Sequence, residues 1–175
     1  MNAIEKVQLL ASLDESRKAL VNSVDGIAPE TALRSPSPGA WSIRDCVEHV
    51  AISEDYLFAQ IGKAQRRDAP VLNARREELI PVRGLDRSRR IECPEDGLPR
   101  GRFPTLAAAL EHFLASRDRT ARYVENIDVE LEDLRAQITA HPVLGAANCY
   151  EILLTMAVHP RRHALQIEEI KAALE

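Results

Sequence analysis

The sequence predicts an all-α protein, a four-helix bundle with a long connection between its second and third helices. Apolar residues recur at three- and four-residue spacing in four stretches, which is the period of an amphipathic helix. β-Branched residues do not alternate with polar ones over any useful length, which argues against a sheet protein. With 175 residues, 45% of them hydrophobic, the chain can bury one sizeable core. We therefore expect a single domain over residues 1–175.

The first two predicted helices have recognisable ends. The first covers about residues 3–26 and ends near Gly26, a residue type that commonly terminates helices. The second starts after Ser42, a favourable N-cap residue, with Asp45 at the third helical position as in a capping box. It is expected to run to about Arg66.

The other two predicted helices lie in the second half of the chain. The third begins at Pro104 or Thr105 and runs to about Ile127, and the fourth covers about residues 147–174. Four helices of roughly 20–28 residues, each with one apolar stripe, pack naturally as a bundle.

The connection between the second and third helices, residues 67–103, is too long for a tight turn and contains four prolines. Its piece 71–80 is a candidate for a short extra helix. The overlapping segment 62–103 is basic, with eleven Lys or Arg and seven Asp or Glu, although the whole chain carries a net charge of −4. A solvated surface is the simpler interpretation of this segment, and binding of an anion or a partner is the alternative.

Composition excludes several classes of protein. No apolar run approaches the roughly 20 residues that span a bilayer, and the N-terminal stretch lacks the apolar region of a secretory signal. The negative net charge argues against general nucleic-acid binding. The three cysteines, Cys46, Cys93 and Cys149, form no C-x-x-C pair, which favours reduced thiols in a cytoplasmic protein. Cys46 and Cys149 fall near apolar stripes and are predicted to be core residues.

Two histidines of the fourth helix point towards the predicted core. His159 and His163 both fall within about 20° of the line through Ile152 and Ile170, because a helix advances about 100° per residue. They are separated by one turn, so their ring nitrogens can converge on one metal ion. The alternative is that both are hydrogen-bonded core histidines. The sequence HPRRH lacks the Glu of the H-E-x-x-H motif, which argues against a zincin-type protease.

A third metal ligand has three candidates, His49, His112 and His141. His49 lies about 120° from the centre of the apolar stripe of the second helix. It shares that polar flank with Asp45, Ser53 and Tyr56, which suits the rim of a water-accessible pocket. His112 points to the side of its stripe, and His141 precedes a proline in a loop that we expect at the surface.

These histidines belong to a pattern that resembles the DinB-like superfamily. The chain has a Trp-Ser at the start of a helix, a His seven residues after that Ser, and a last helix with H-x-x-x-H followed by Gln-Ile. The loop HPVLG at 141–145 is also similar, so the resemblance covers nearly the whole chain. The matching residues are Trp41, Ser42, His49, His159, His163, Gln166 and Ile167.

The resemblance implies a DinB-like four-helix bundle, often homodimeric, with one divalent metal ion on His49, His159 and His163. The sequence does not distinguish Zn, Ni, Fe and Mn. Some members resemble thiol-dependent transferases or isomerases that use low-molecular-weight thiols. Pro160 removes a helical hydrogen bond beside His159, so we expect a kink that aims His159 or a helix that starts only at Pro160.

Three charged residues occupy the centres of predicted apolar stripes, namely Arg17, Glu54 and Arg117. Buried charges are costly unless they are paired. One interpretation is an ion pair between Glu54 and one arginine, or arginine stems that reach solvent. The other is that a spare arginine faces the metal pocket and binds an anionic group.

Two functions therefore remain open at the level of the sequence. The first is a metal-dependent enzyme, a thiol transferase or a hydrolase, that acts on a small-molecule substrate or thiol. Its pocket candidates are Asp45, Ser53, Tyr56, Arg17 and Arg117. The second is a non-catalytic, metal-stabilised helical dimer that binds a small ligand or a protein partner. No residue of the sequence is an evident general base beside the metal.

Overall fold

The structure is a computed structural model that describes residues 1–89 and 91–175. Four long helices form the bundle, and two short helices and a small antiparallel sheet lie in the connections. Two single 3₁₀ turns, at Glu95–Gly97 and Leu134–Ala136, complete the described elements. The helices are α1 (Ala3–Val24), α2 (Pro29–Ala32), α3 (Ile43–Gly62), α4 (Ala74–Leu85), α5 (Leu106–Asn126) and α6 (Cys149–Leu174), and the strands are β1 (Gln65–Arg66), β2 (Gln137–His141) and β3 (Gly145–Asn148).

Helix starts are specified locally by polar side chains. Ser42 and Asp45 form the predicted capping box of α3, with hydrogen bonds of 3.2 and 3.0 Å between side chains and backbone N–H groups. Asn2 caps α1 and Asn148 caps α6 in the same reciprocal manner. Each such cap stabilises its helix by about 1 kcal/mol, because it satisfies backbone donors that the helix itself leaves free.

The bundle confirms the predicted four-helix architecture. Helices α1 and α6 pack together along their length, as do α3 and α5, and α4 packs on the outer side of α6. The interior contains two apolar clusters, one around Leu13, Leu57 and Met156 and the other around Leu20, Val50 and Ile167. Buried polar side chains of all four long helices occupy the positions between these clusters along the sequence. They are Ser16, Glu54, Arg117 and His163.

The connections differ from the sequence-based prediction. Strands β1, β2 and β3 pair in that order as an antiparallel sheet, which the helical spacing does not reveal. The pairing of Gln65 with Ile138 ends α3 at Gly62, four residues before the predicted end. The predicted short helix 71–80 corresponds to α4, displaced towards the C-terminus because Asn73 caps it. The strands β1, β2 and β3 have only two to five residues each, which is too short for an alternating pattern to be recognised in the sequence.

Helix α4 packs closely against α6, the helix that carries His159 and His163. A Cβ atom on Gly84 would lie 2.6 Å from Cγ2 of Val158, so only glycine permits this approach. Arg162 extends from α6 across the same junction and donates to the carbonyl oxygens of Gly84, Asp86 and Arg89. The first part of the long connection is therefore fixed onto α6, close to His159 and His163. Among the described residues, no helix combines the length and apolarity needed to cross a membrane.

Candidate metal centre

Three histidines from two helices converge on one point. His49 comes from α3, and His159 and His163 come from successive turns of α6. The Nε2 atom of His159 lies 3.1 Å from Nε2 of His49 and 3.1 Å from Nε2 of His163. All three imidazoles thus present one nitrogen to a common centre, within 4.8 Å of one another.

The other nitrogens of two of these rings are already engaged. Nδ1 of His49 lies 2.7 Å from the carbonyl oxygen of Gly97, which can only accept a hydrogen bond, so this Nδ1 carries the proton. Nδ1 of His163 lies 3.0 Å from Oε1 of Gln166. Arg87 donates to that same Oε1, which fixes the amide oxygen towards His163. Both histidines therefore direct an unprotonated Nε2 to the centre.

This arrangement fits a divalent cation better than it fits hydrogen bonding among the rings. A neutral His159 has a single N–H, so its Nε2 can donate to His49 or His163 but not to both. A cation can accept the lone pairs of all three nitrogens. Nitrogens 3.1 Å apart are close enough to bind the same divalent ion. Three protein ligands would leave further coordination positions of a divalent ion for water or substrate.

Burial keeps the three rings in the protonation state that binds metal. It lowers the pKa of His159 and His163 well below the ordinary value, and the neighbouring imidazoles act in the same direction. Burial also lowers the pKa of His49, against an opposing effect of the Gly97 carbonyl. Because the neutral imidazole is the ligand, protons do not compete for the site near neutral pH.

Pro160 is accommodated inside α6, which continues unbroken from Cys149 to Leu174. A proline has no N–H, so it cannot bond to the carbonyl oxygen of Met156 four residues earlier. Nη2 of Arg117 donates to that oxygen at 2.8 Å and also to Oε2 of Glu54 at 2.9 Å. The structure thus shows the helix passing through Pro160, and excludes a helix that begins there.

The ion pair between Glu54 and Arg117 confirms one of the two interpretations of the charges in the apolar stripes. Both side chains are almost fully buried. Burial raises the pKa of Glu54 and lowers that of Arg117, while their mutual attraction opposes both changes. Arg117 is consequently engaged inside the bundle. Arg17, in contrast, does not lie in the interior of the bundle. Its side chain turns outwards and forms a half-exposed ion pair with Asp118.

His49 lies in a buried environment and not on the polar, water-accessible flank of α3 that the sequence predicted. His49 is only 7% exposed, because the end of the long connection folds over this side of α3. The Trp41 ring lies 4.9 Å from the His49 ring, centroid to centroid. Sγ of Cys93 lies 3.6 Å from Nδ1 of His49, a proximity with no signal in the sequence. Burial raises the pKa of this cysteine, and Cys46 and Cys149 are core residues as predicted.

A cavity of about 500 Å³ opens one to two turns beyond His49 on α3. Tyr56, one of the predicted pocket residues, contributes to it. Ser53 is partly buried and does not line it, and Asp45 is held in the capping box of α3. The lining combines aromatic, apolar and charged side chains from α3, α5 and the end of the long connection. They are Ile52, Asp55, Tyr56, Asp96, Arg102, Phe103 and His112.

The two remaining histidine candidates lie outside the centre. His112 Nε2 is 2.6 Å from Oδ2 of Asp55, at the edge of the cavity. His141 is buried in β2, contrary to the surface position expected, because its Nδ1 accepts hydrogen bonds from the N–H groups of Val143 and Leu144 in the hairpin turn. Burial, and to a smaller extent the positive charge of Arg76, lowers the pKa of His141 to about 4, while the negative charge of Glu151 acts in the opposite direction.

Comparison with known proteins agrees with this description. The chain is 22% identical over 166 residues to the uncharacterized protein YuaE of Bacillus subtilis, covering 95% of this chain and 99% of that protein. Its fold is similar to that of YfiT from Bacillus subtilis, described as a probable metal-dependent hydrolase with an unusual four-helix bundle topology. That likeness has a TM-score of 0.61 at 13% identity and covers 99% of this chain and 90% of YfiT.

A second structural relative is TT2238, a four-helix bundle protein, with a TM-score of 0.53, 22% identity, and coverage of 94% of this chain and 98% of TT2238. The family model of the DinB superfamily matches residues 12–167. This match spans well over half of the chain and includes all three converging histidines. The chain therefore belongs to the DinB superfamily.

Proposed function

We propose that the protein is a divalent-metal-dependent enzyme acting on a small-molecule substrate, with His49, His159 and His163 as the metal ligands. The observation that carries this proposal is the convergence of three Nε2 atoms, two of them in tautomers fixed by Gly97 and Gln166. Three protein ligands are typical of catalytic divalent sites, which keep a position for water or substrate, whereas structural sites are usually closed by four protein ligands.

The bound ion would lower the pKa of a water molecule or thiol in an open position and so supply a nucleophile at neutral pH. The protein contributes a rigid frame, since the two helices that carry the ligands pack against each other. The Trp41 ring lies nearly parallel to the His163 ring, at an interplanar angle of 24°, with the two ring centroids 6.1 Å apart. These features favour chemistry on a small substrate in a confined space.

The candidate substrate pocket is the cavity that Tyr56 lines, one to two turns of α3 beyond His49. In that cavity, His112 is oriented by Asp55, whose carboxylate also accepts from Ser116 and Arg119. Although burial acts in the opposite direction, these hydrogen bonds hold the pKa of Asp55 below its ordinary value. The pair of Asp55 and His112 can hold or move a proton, which the sequence alone did not suggest.

Two reaction classes are compatible with this arrangement. Hydrolysis is supported by the description of YfiT as a probable metal-dependent hydrolase. Transfer involving a low-molecular-weight thiol is supported by the resemblance of the histidine pattern to thiol-dependent relatives. In both classes the nucleophile is small, and the bound ion would activate it by lowering its pKa.

Metal reconstitution followed by two assays tests the proposal. Protein stripped with a chelator is reloaded with Zn, Ni, Fe or Mn. It is then assayed on a panel of esters, amides and phosphoesters, and on chlorodinitrobenzene with a small thiol. We expect turnover in one assay that requires added metal, disappears in His163→Ala and persists in His141→Gln, a change at a buried histidine outside the centre.

Titration of a small thiol into the cobalt-substituted protein distinguishes the two classes. A new sulfur-to-cobalt absorption band would support thiol transfer, and an unchanged spectrum at saturating thiol would favour hydrolysis. A protein that holds metal, forms a stable dimer and turns over no compound in either assay would contradict catalysis. It would instead support a metal-stabilised helical dimer that binds a ligand or partner.

A further inference from the structure

A buried carboxylate lies next to the metal ligand of α3 in the sequence. Glu48 directly precedes His49 and has 0% of its surface exposed. Its Oε1 atom accepts hydrogen bonds from the backbone N–H groups of Arg100, at 2.7 Å, and Arg102, at 3.1 Å. Its Oε2 atom has no hydrogen-bond partner among the described residues. Such a group is costly to bury, so its position calls for an explanation.

The two N–H groups reach one oxygen because of the glycine between them. Gly101 has a φ of +70°, in the left-handed region that side chains other than glycine rarely adopt. Successive backbone N–H groups around such a residue turn to the same side and form a concave site for an anion. In this protein, the anion is the side chain of Glu48.

Adjacent residues of α3 therefore hold two points of one segment, residues 97–102. His49 donates to the carbonyl oxygen of Gly97, and Glu48 accepts from the backbone at Arg100 and Arg102. Gly97 also lies against the ligand, since a Cβ on it would be 3.4 Å from Cε1 of His49. The position of the Gly97 carbonyl depends on how firmly the rest of this segment is held.

From these contacts we propose that Glu48 is a positioning residue of the metal centre. Its carboxylate fixes the segment 97–102 so that the Gly97 carbonyl holds His49 in the tautomer and orientation that direct Nε2 towards the ion. The inference rests on the proposed function, because it assigns Glu48 a role through a metal ligand. Polar groups that orient a ligand in this way typically change metal affinity about 10- to 100-fold when removed.

The same segment supplies one wall of the cavity, through Asp96, Arg102 and Phe103. Because Glu48 bonds to the backbone of Arg102, it also sets where this wall stands relative to α3. Glu48 thus connects the orientation of a metal ligand with the shape of the cavity.

Four variants test this role. Glu48→Ala removes the acceptor, and Glu48→Gln keeps an oxygen that can accept from both N–H groups. Gly101→Ala leaves Glu48 intact but disfavours the backbone conformation that presents the N–H groups. Gly145→Ala is the matched control, because Gly145 has a similar φ of +72°, and neither glycine has an atom within 4 Å of the added Cβ.

The first measurement is zinc affinity, obtained by competition with a chromophoric chelator. We expect Glu48→Ala and Gly101→Ala to weaken zinc binding at least about tenfold, and Glu48→Gln and Gly145→Ala to stay within about threefold of the wild type. Equal affinity in Glu48→Ala and the wild type would overturn the proposal. So would an equal loss in Gly101→Ala and Gly145→Ala, which would show that backbone strain alone weakens the site.

The second measurement does not require metal. In apo-protein with ¹⁵N-labelled histidine, the proton on Nδ1 of His49 should give a protected, hydrogen-bonded NMR signal, which Glu48→Ala and Gly101→Ala should lose. If the wild type binds no zinc, the proposed function fails, while this signal still reports whether Glu48 positions His49. A signal that persists unchanged in Glu48→Ala would contradict the positioning role.

Discussion

Arg117 donates a hydrogen bond to the carbonyl oxygen of Met156, the group that Pro160 leaves without its helical donor. A guanidinium from α5 thereby replaces a missing backbone N–H in α6, one turn before His159. The same guanidinium neutralises Glu54 from α3. Its Nη1 also donates to the carbonyl oxygen of Leu13 and to Oγ of Ser16 in α1, so all four long helices are joined at this point, about one turn from the converging histidines.

The first prediction concerns this replacement. Arg117→Met should destabilise the protein by about 3–5 kcal/mol, because it leaves Glu54 buried without its partner. In a Pro160→Ala background, the destabilisation caused by Arg117→Met should be smaller by about 1 kcal/mol. The reason is that the backbone N–H of the new alanine can bond to the Met156 carbonyl oxygen. A double-mutant cycle from urea unfolding measures this coupling.

Arg17→Met is the control for that cycle. Arg17 and Asp118 form a half-exposed pair, so the change should cost less than about 1 kcal/mol. No coupling between positions 117 and 160 would show that Arg117 does not serve the carbonyl that Pro160 leaves free.

The second prediction concerns Gln166, which accepts a hydrogen bond from Nδ1 of His163. Gln166→Leu should weaken zinc binding about 10- to 100-fold, because His163 loses the partner that fixes its tautomer. Gln166→Glu keeps an acceptor and should retain most of the affinity. Glu168→Gln alters only the pair with Lys171 and should leave affinity unchanged. Equal affinities in all three variants would refute the role of Gln166.

The third prediction is a pH dependence that originates at His141. Its pKa is about 4 in the folded protein and about 6.5 in an unfolded chain, so the unfolded state takes up a proton first as the pH falls. The stability that His141 contributes is therefore complete above pH 6.5 and decreases as the pH falls towards about 4.

Comparison of wild-type protein with His141→Gln isolates this contribution, because both retain the three converging histidines. Glutamine can still accept from the hairpin N–H groups but does not titrate. The free energy of unfolding should fall by up to about 1.4 kcal/mol per pH unit more steeply in the wild type over this range. Parallel curves would contradict the burial of a neutral His141.

The sequence was sufficient for the parts of the site that depend on helical periodicity. His159 and His163 could be placed on the inner face of α6 because their spacing matches the apolar stripe. The pair of Glu54 and Arg117 could be anticipated for the same reason, since a charge inside a stripe needs a partner.

Features that depend on the connections could not be read in this way. His49 lies off the stripe of α3, and its burial results from a segment about fifty residues further along the chain. The contacts of Gly97 and Cys93 with His49 leave no periodic trace, and the bond of Arg117 to Met156 requires knowledge of how three helices pack. The three-stranded sheet could not be predicted either, because its strands are too short to show an alternation of apolar and polar residues.

The most direct test of the account is the metal-to-protein ratio measured by elemental analysis of carefully purified protein. The arrangement of His49, His159 and His163 predicts about one divalent ion per chain in the wild type. The same ratio is expected in His112→Ala, whose histidine lies at the cavity edge, and almost none in His49→Ala and His163→Ala. A wild-type protein without stoichiometric metal, or a His163→Ala variant with as much metal as the wild type, would contradict the proposed centre.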